Sequence, residues 1–155
     1  ADLDQVKLEL VDIWHFGLSE MLRSGPVDAA IAAQLSEIQA AHTDLEQDVR
    51  AENFRLAIEQ LAASSLTSKS FDLSAFKSAM ASLPMQLPEL YGMYIGKNIL
   101  NRFRQNNGYK SGEYRKLWQG REDNEHLVEL LEELSGVVEG LPEKLYAGLE
   151  ARYTA

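Results

Sequence analysis

The length, composition and charge of the sequence describe one ordinary globular domain. Its 155 residues are 45% hydrophobic and 25% charged, as in soluble proteins with a substantial core. The chain has no cysteine, which excludes disulfides and thiolate metal sites, and its net charge of −9 argues against a nucleic acid polymer as partner. No apolar run is long enough to span a membrane and no signal peptide opens the chain, so we expect a cytoplasmic protein without a membrane partner.

The first predicted helix covers residues 2–23 and ends before the Ser-Gly-Pro sequence at 24–26. Apolar residues leave almost no polar face around its middle, which predicts a helix buried on most sides. Glu9 and Asp12 interrupt this surface at positions i and i+3 and therefore lie on the same side. Because two unpaired buried carboxylates are costly, the pattern indicates a cation beside them, and a hard divalent ion such as Mg²⁺ suits oxygen ligands. The alternative places the pair at the rim, where lysine or arginine neutralises it.

The residues between this helix and position 90 predict further helices but no chemistry. The apolar spacing favours helices over 26–40, from 44 or 50 to 66, and over 71–83, the last capped at position 70 or 72. The apolar faces of residues 26–66 are the expected place for dimer contacts.

A helix predicted over 90–107 carries a polar stripe. Lys97, Asn101 and Arg104 stand at i, i+4 and i+7 and share one face, whereas apolar residues occupy the opposite face. Two cations and an amide are donors suited to a phosphate chain. The alternative is an amphipathic helix whose basic face is simply solvated.

The remaining residues predict helices and the turns between them. Gly108 can take the positive φ that ends a helix, and Lys110 follows two residues later. Short helices are predicted over 111–118, 124–134 and 142–153, and no segment alternates as a strand would. We therefore predict an all-α protein of seven or eight helices packed as a bundle.

Two blocks of the sequence carry a family resemblance. The first is Glu9-Leu10-Val11-Asp12-Ile13-Trp14-His15-Phe16. The second runs over residues 96–110, with the pattern Gly-Lys-Asn-x-Leu-Asn-x-Phe-Arg-Gln-x-Asn-Gly-Tyr-Lys, and it continues at Tyr114, Trp118, Gly120, Glu122, Asp123 and Asn124. Together they resemble the dimeric all-α dUTPases, relatives of the MazG-like pyrophosphatases, whose first signature is an ExxD helix. The fold that this resemblance implies is a multi-helix bundle of the all-α NTP pyrophosphatase type.

The resemblance implies a homodimeric enzyme that cleaves dUTP, and often dUDP, to dUMP. It further implies Mg²⁺ held by carboxylates on two helices, with an activated water as the nucleophile. At the matching positions, Glu9 and Asp12 correspond to the catalytic metal ligands. The implied substrate-binding positions are Lys97, Asn101, Arg104, Tyr109 and Lys110, with His15, Phe16 and Asn124 as further lining of the nucleotide pocket.

The resemblance also implies an earlier helix, with an ExxE pair that completes the metal site. The sequence starts only eight residues before Glu9. We therefore expect either part of a longer enzyme, which we favour, or a short form with half of the metal site and little turnover. Two other functions remain open: a housecleaning pyrophosphatase for another nucleoside triphosphate, and a non-catalytic helical dimerisation module.

We expect one all-α domain over residues 1–155, composed of four segments. A metal-site helix covers 1–25, and a variable helical insert covers 26–88. The phosphate-binding helix and the loop after it cover 89–126, and carboxy-terminal helices cover 127–155.

Overall fold

The computed structural model describes residues 3–25, 29, 33, 46–137 and 139–154, and this part of the chain is mainly helical. The predicted all-α class is confirmed, and none of the described helices is both long and apolar enough to cross a membrane. The helix predicted over 26–40 lies outside the described residues, apart from residues 29 and 33. The described elements are α1 (Leu3–Ser24), α2 (Gln47–Ser68), α3 (Leu73–Ser82), α4 (Leu87–Asn106), β1 (Leu117–Trp118), β2 (Arg121–Glu122), α5 (Asp123–Glu133) and α6 (Leu141–Thr154).

The chain forms two compact units, Ala1–Leu90 and Tyr91–Ala155. In the first unit, α1 buries the side chains that its helical spacing brings to one face, among them Val11 and Trp14. The Trp14 ring stacks on Phe76, with the ring centroids 5.1 Å apart. This aromatic contact joins α1 to α3 within the first unit.

At Gly17 the backbone of α1 comes very close to the aromatic ring of Phe71. A Cβ atom at this position would lie 2.4 Å from the ring of Phe71, a distance that real Cβ atoms do not tolerate. Any larger residue would displace the Phe71 ring, whose centroid lies 6.3 Å from that of Trp14 in the same core.

The start of α3 follows from a local sequence signal. Asp72 is the N-cap, and its carboxylate accepts a hydrogen bond of 2.9 Å from the backbone N–H of Ala75. The helix then places Phe76 and Met80 one turn apart, and both side chains are fully buried. The predicted cap and buried face of this helix are confirmed.

The core of the second unit is built around Phe103, on the last turns of α4. Its ring lies edge-on to four other aromatic rings, with centroid distances between 5.3 and 6.3 Å. Aliphatic side chains from α4, α5 and α6 complete the cluster: Ile99, Leu100, Leu127, Leu130, Leu145 and Leu149. Apolar residues at helical spacing therefore form the core of this unit, as they do in the first.

A β-hairpin replaces the helix predicted over 111–118. Strands β1 and β2 pair antiparallel, with Trp118 opposite Arg121. The two residues between them, Gln119 and Gly120, both have positive φ, 52° and 80°, as a type I′ turn requires. The prediction of a helix was wrong because eight residues carry too little periodic signal, and because a glycine with positive φ, Gly112, lies inside the segment.

Helix α5 begins with a capping box. The Glu122 side chain accepts from the backbone of Glu125, and the Glu125 carboxylate accepts a 2.7 Å hydrogen bond from the Glu122 N–H. Glu122 is therefore the cap, and Asp123 is the first helical residue. The Asp123 side chain takes no part in the capping box and is fully buried in the second unit.

Candidate functional site

The predicted carboxylate pair lies on α1, in the first unit. Glu9 is exposed and Asp12 is half-buried, while their neighbours Leu8 and Val11 fill the core. In the middle of α1, from Lys7 to Leu18, only Glu9 and Phe16 are exposed, Phe16 by 78%, so the predicted burial on most sides is confirmed there. Because Glu9 is exposed, its carboxylate does not need a neighbouring cation to offset a cost of burial.

Helix α1 offers a magnesium ion two carboxylate ligands. Among the described residues, no group of three or more histidine, aspartate and glutamate side chains is placed to hold a metal. Glu9 and Asp12 supply two carboxylates one turn apart on one side of the helix. Mg²⁺ commonly takes only one or two carboxylates from a protein and completes its octahedron with water and substrate phosphate oxygens. The pair is compatible with that type of binding.

His15 and Phe16 follow the carboxylate pair on the same helix. The Nδ1 atom of His15 lies 3.0 Å from the carbonyl oxygen of Val11, which can only accept, so Nδ1 carries the proton. Phe16 is exposed on α1. That these two side chains contact a nucleotide stays a prediction.

The polar stripe of α4 lies in the second unit and is only partly solvated. Lys97 is 6% exposed, whereas Asn101 is exposed. The Arg104 side chain, at 13%, is largely covered. The alternative of a simply solvated basic face is therefore wrong for two of its three residues. Cations held at a largely covered surface have fewer conformations to lose when an anion binds.

Arg104 forms the best-defined polar contact of the second unit. Its Nε and one terminal nitrogen each donate to a different oxygen of Asp123, both at 2.8 Å. The Tyr114 hydroxyl donates to the same carboxylate, also at 2.8 Å. The other terminal nitrogen of Arg104 lies 3.4 Å from the Asn101 side-chain oxygen, a long hydrogen bond. The guanidinium is thus fixed along one edge.

The protonation states in this cluster follow from burial and charge. Burial acts to lower the pKa of Arg104, but the hydrogen bonds and negative charge of Asp123 outweigh it, and the pKa is raised. The pKa of Tyr114 is also raised, first by burial and then by its hydrogen bond to Asp123. Arg104 therefore remains charged and Tyr114 remains a donor at any working pH.

The other predicted substrate positions of the second unit surround the end of α4. Tyr109 is half-exposed, and the Arg104 guanidinium carbon lies 5.9 Å from the centre of its ring. Gly108 has a φ of 83°, as predicted for the residue that ends this helix, and Lys110 is exposed beyond it. Asn124, in the first turn of α5, has a buried side-chain oxygen that accepts no hydrogen bond from the described residues.

Sequence reasoning missed the roles of Asp123 and Tyr114. Both residues belong to the blocks that carry the family resemblance, but neither their spacing nor the resemblance predicts a role for them. The signal that could have found Asp123 is the neighbouring Glu122 with Glu125 three residues on, which already forms a complete capping box. A second carboxylate at the same helix start then needs another partner.

A charge network links α5, α6 and the hairpin in the second unit. The Glu129 carboxylate accepts from Arg121 and, at 2.8 Å, from Arg152. The hydrogen bond from Arg121 is the main cause of a pKa of about 2 for Glu129, which burial opposes and Arg152 reinforces. Arg121 and Arg152 each also contact His126, whose ring stacks on Trp118.

The Glu129 network predicts an acid-sensitive contribution to stability. The folded pKa of about 2 is below the ordinary 4.5, so the contribution is complete above 4.5 and is lost as the pH falls toward 2. We expect the melting temperature of the protein to fall over this range, and to fall less in Glu129→Gln. Thermal unfolding followed by circular dichroism at several pH values measures this, with Glu132→Gln, an exposed site on the same helix, as the control. Equal pH dependence in Glu129→Gln and the unmodified protein would contradict the prediction.

Comparison with known proteins agrees with the helical fold. The family model described as dUTPase matches residues 1–109, well over half of the chain. No curated protein matches the sequence. The fold and the match define a nucleotide hydrolase of the all-helical class, whose substrate is a small-molecule nucleotide. The chain belongs to the all-α dUTPase family.

Proposed function

We propose that this protein is a dUTP diphosphatase, which hydrolyses dUTP between the α- and β-phosphates to dUMP and pyrophosphate. The supporting observation is the dUTPase family match over residues 1–109, which includes both the carboxylate pair of α1 and the polar stripe of α4. We extend the proposal to dUDP, because cleavage at the same bond needs no γ-phosphate and gives dUMP and inorganic phosphate.

The proposed roles follow from the chemistry of each side chain. Lys97 and Arg104 donate charge-assisted hydrogen bonds to the phosphate chain, and Asn101 and Lys110 add polar contacts beside them. Tyr109, half-exposed next to Arg104, contacts the sugar or phosphate with its hydroxyl. The chain has a net charge of −9, so local cations are needed to bring in an anionic substrate.

We further propose that Glu9 and Asp12 hold Mg²⁺ together with the substrate. When bound, the ion would neutralise phosphate charge and lower the pKa of an attacking water. The two carboxylates of α1 have the oxygen donors that this ion prefers, and Glu9 is exposed, so water and phosphate can reach it. His15, Phe16 and Asn124 are each proposed to contact the nucleotide.

A homodimer is the proposed assembly, as in the family that the sequence resembles. In the first unit, α2 leaves the apolar side chains of Val49, Leu56 and Leu66 exposed, where a second copy could cover them. A pyrophosphatase acting on another nucleoside triphosphate and a non-catalytic dimerisation module are the competing functions.

Product analysis separates these functions. We expect the purified protein with MgCl₂ to convert dUTP to dUMP and pyrophosphate, and dUDP to dUMP and phosphate, as resolved by anion-exchange chromatography. Faster conversion of dTTP, dCTP or UTP than of dUTP would favour the housecleaning function. No conversion of any nucleotide, and no rise in melting temperature with a non-hydrolysable α,β-imido analogue of dUTP, would favour the module.

A matched pair of variants serves as the control. Lys97→Met removes a proposed phosphate contact, whereas Arg55→Gln removes a positive charge from an exposed ion-pair cluster on α2. We expect only Lys97→Met to weaken binding of the dUTP analogue. Equal weakening in the two variants would mean that overall charge, rather than the α4 stripe, attracts the nucleotide.

A further inference from the structure

The second unit contains a buried carboxylate whose hydrogen bonds are not accounted for by the stability of the fold alone. Asp123 is fully buried, and a buried carboxylate is costly unless it is paired and hydrogen-bonded. It accepts three hydrogen bonds of 2.8 Å, two from Arg104 and one from Tyr114. Replacing such buried ionic groups by apolar side chains is often neutral or stabilising, so stability alone gives little reason for this arrangement.

The contacts leave Arg104 with one usable edge. Its Nε and one terminal nitrogen face Asp123, and the guanidinium carbon lies over the Tyr109 ring, 5.9 Å from its centre. Two of the three remaining N–H hydrogens lie along the edge between the terminal nitrogens, where the described residues contribute the long 3.4 Å contact to Asn101. This edge has the fork geometry that matches two phosphate oxygens.

The ion pair also changes what Arg104 contributes. Because Asp123 neutralises the guanidinium, Arg104 adds little net charge, and its value to an anion lies in two hydrogen bonds at a fixed position. Tyr114 matters because it saturates the Asp123 oxygen that Arg104 Nε also uses, which holds the carboxylate in plane with the guanidinium.

We propose that Asp123 and Tyr114 are positioning residues, which orient the free edge of Arg104 toward the phosphate chain of the nucleotide. This inference rests on the proposed function, in which Arg104 contacts that chain. Neither residue touches the substrate, and both act through the guanidinium.

The mildest test is Tyr114→Phe, which removes one hydroxyl and keeps the ring. Tyr146→Phe is the matched control, since both rings pack on Phe103, and the Tyr146 hydroxyl contacts Asn106 instead of Asp123. We expect Tyr114→Phe to weaken binding of α,β-imido-dUTP by about tenfold. This is the lower end of the effect of removing a residue that orients a binding group through a hydrogen bond. The expected change is in KM, with kcat nearly retained, and Tyr146→Phe is expected to bind as the unmodified protein does.

A double-mutant cycle tells positioning from a general structural role. In an Arg104→Gln background, where the side chain can still donate to Asp123, the effect of Tyr114→Phe on binding should vanish because no guanidinium remains to be oriented. A Tyr114→Phe effect of the same size in both backgrounds would overturn the inference. Unchanged binding in Tyr114→Phe alongside weakened binding in Arg104→Gln would overturn it as well.

The same variants separate this inference from the function on which it rests. If Arg104→Gln binds and turns over dUTP like the unmodified protein, Arg104 is not a phosphate contact, and the positioning role fails with it. If the protein has no dUTP turnover and binds no analogue, the proposed function itself fails. Melting temperatures of all variants, measured without nucleotide, show whether each of them is folded.

Discussion

Asp12→Asn is expected to lower dUTP turnover by more than about 100-fold, since even outer-shell partners of a catalytic metal contribute about 10- to 100-fold. Asparagine keeps the size of the side chain and removes the charge that the proposed Mg²⁺ site requires. Asp12 is half-buried on α1 and lies beside the fully buried Val11, so the change leaves the apolar face of the helix intact. Steady-state rates over a range of MgCl₂ concentrations measure the effect, and any residual activity should need more Mg²⁺.

The control for Asp12→Asn is a carboxylate of the same helix. Glu20 pairs with Arg23 at 2.7 Å on the surface of α1, and exposed pairs of this kind contribute little to stability. Glu20→Gln is therefore expected to leave both turnover and melting temperature nearly unchanged. If Asp12→Asn turned over dUTP at the unmodified rate with the same Mg²⁺ dependence, Asp12 would not be a metal ligand.

Phe103→Ala is expected to reduce the free energy of unfolding by about 3–5 kcal/mol, the range for removing a buried aromatic ring. Phe103 is 1% exposed and contacts the rings of Tyr114, Trp118, Tyr146 and Tyr153. Its loss leaves a cavity at the centre of the aromatic cluster and removes four edge-to-face contacts.

The two tryptophans of the chain allow this effect to be read in one unit. Trp118 lies 5.7 Å from Phe103, and Trp14 belongs to the first unit. In a Trp14→Phe background, urea unfolding followed by fluorescence therefore reports on the unit that contains Phe103. Tyr91→Ala, at a position of the same unit that is 60% exposed, is the control and should change stability by no more than about 0.5 kcal/mol. A Phe103→Ala protein as stable as the control would mean that the cluster does not carry the core.

Most of the described helices could be predicted because their signals are local. The helix predicted over 71–83 is α3, Leu73–Ser82, since Asp72 caps it and apolar residues recur at helical spacing. The helix predicted over 90–107 is α4, Leu87–Asn106, which ends where Gly108 takes a positive φ. Such boundaries depend on a few neighbouring residues, so one sequence suffices.

The environment of the candidate site could not be predicted in the same way. The partner of Arg104 is 19 residues away in sequence, and only the hairpin between them brings Asp123 back to it. The hairpin depends on Gln119, a residue that rarely takes positive φ, and nothing in the local composition announces it. The exposure of Phe16 depends likewise on which faces of α1 other segments cover, and helical spacing alone does not determine that.

The ion pair between Arg104 and Asp123 also determines how the loop between α4 and α5 can open. This loop has only two-residue strands, and such segments usually exchange their amide hydrogens through small independent fluctuations. Here, opening would break two charge-assisted hydrogen bonds and separate the end of one helix from the start of the next. We therefore expect the loop and both helix ends to open as a single cooperative unit, with concerted deuterium uptake. A bound nucleotide that engages Arg104 would slow that uptake across the whole segment.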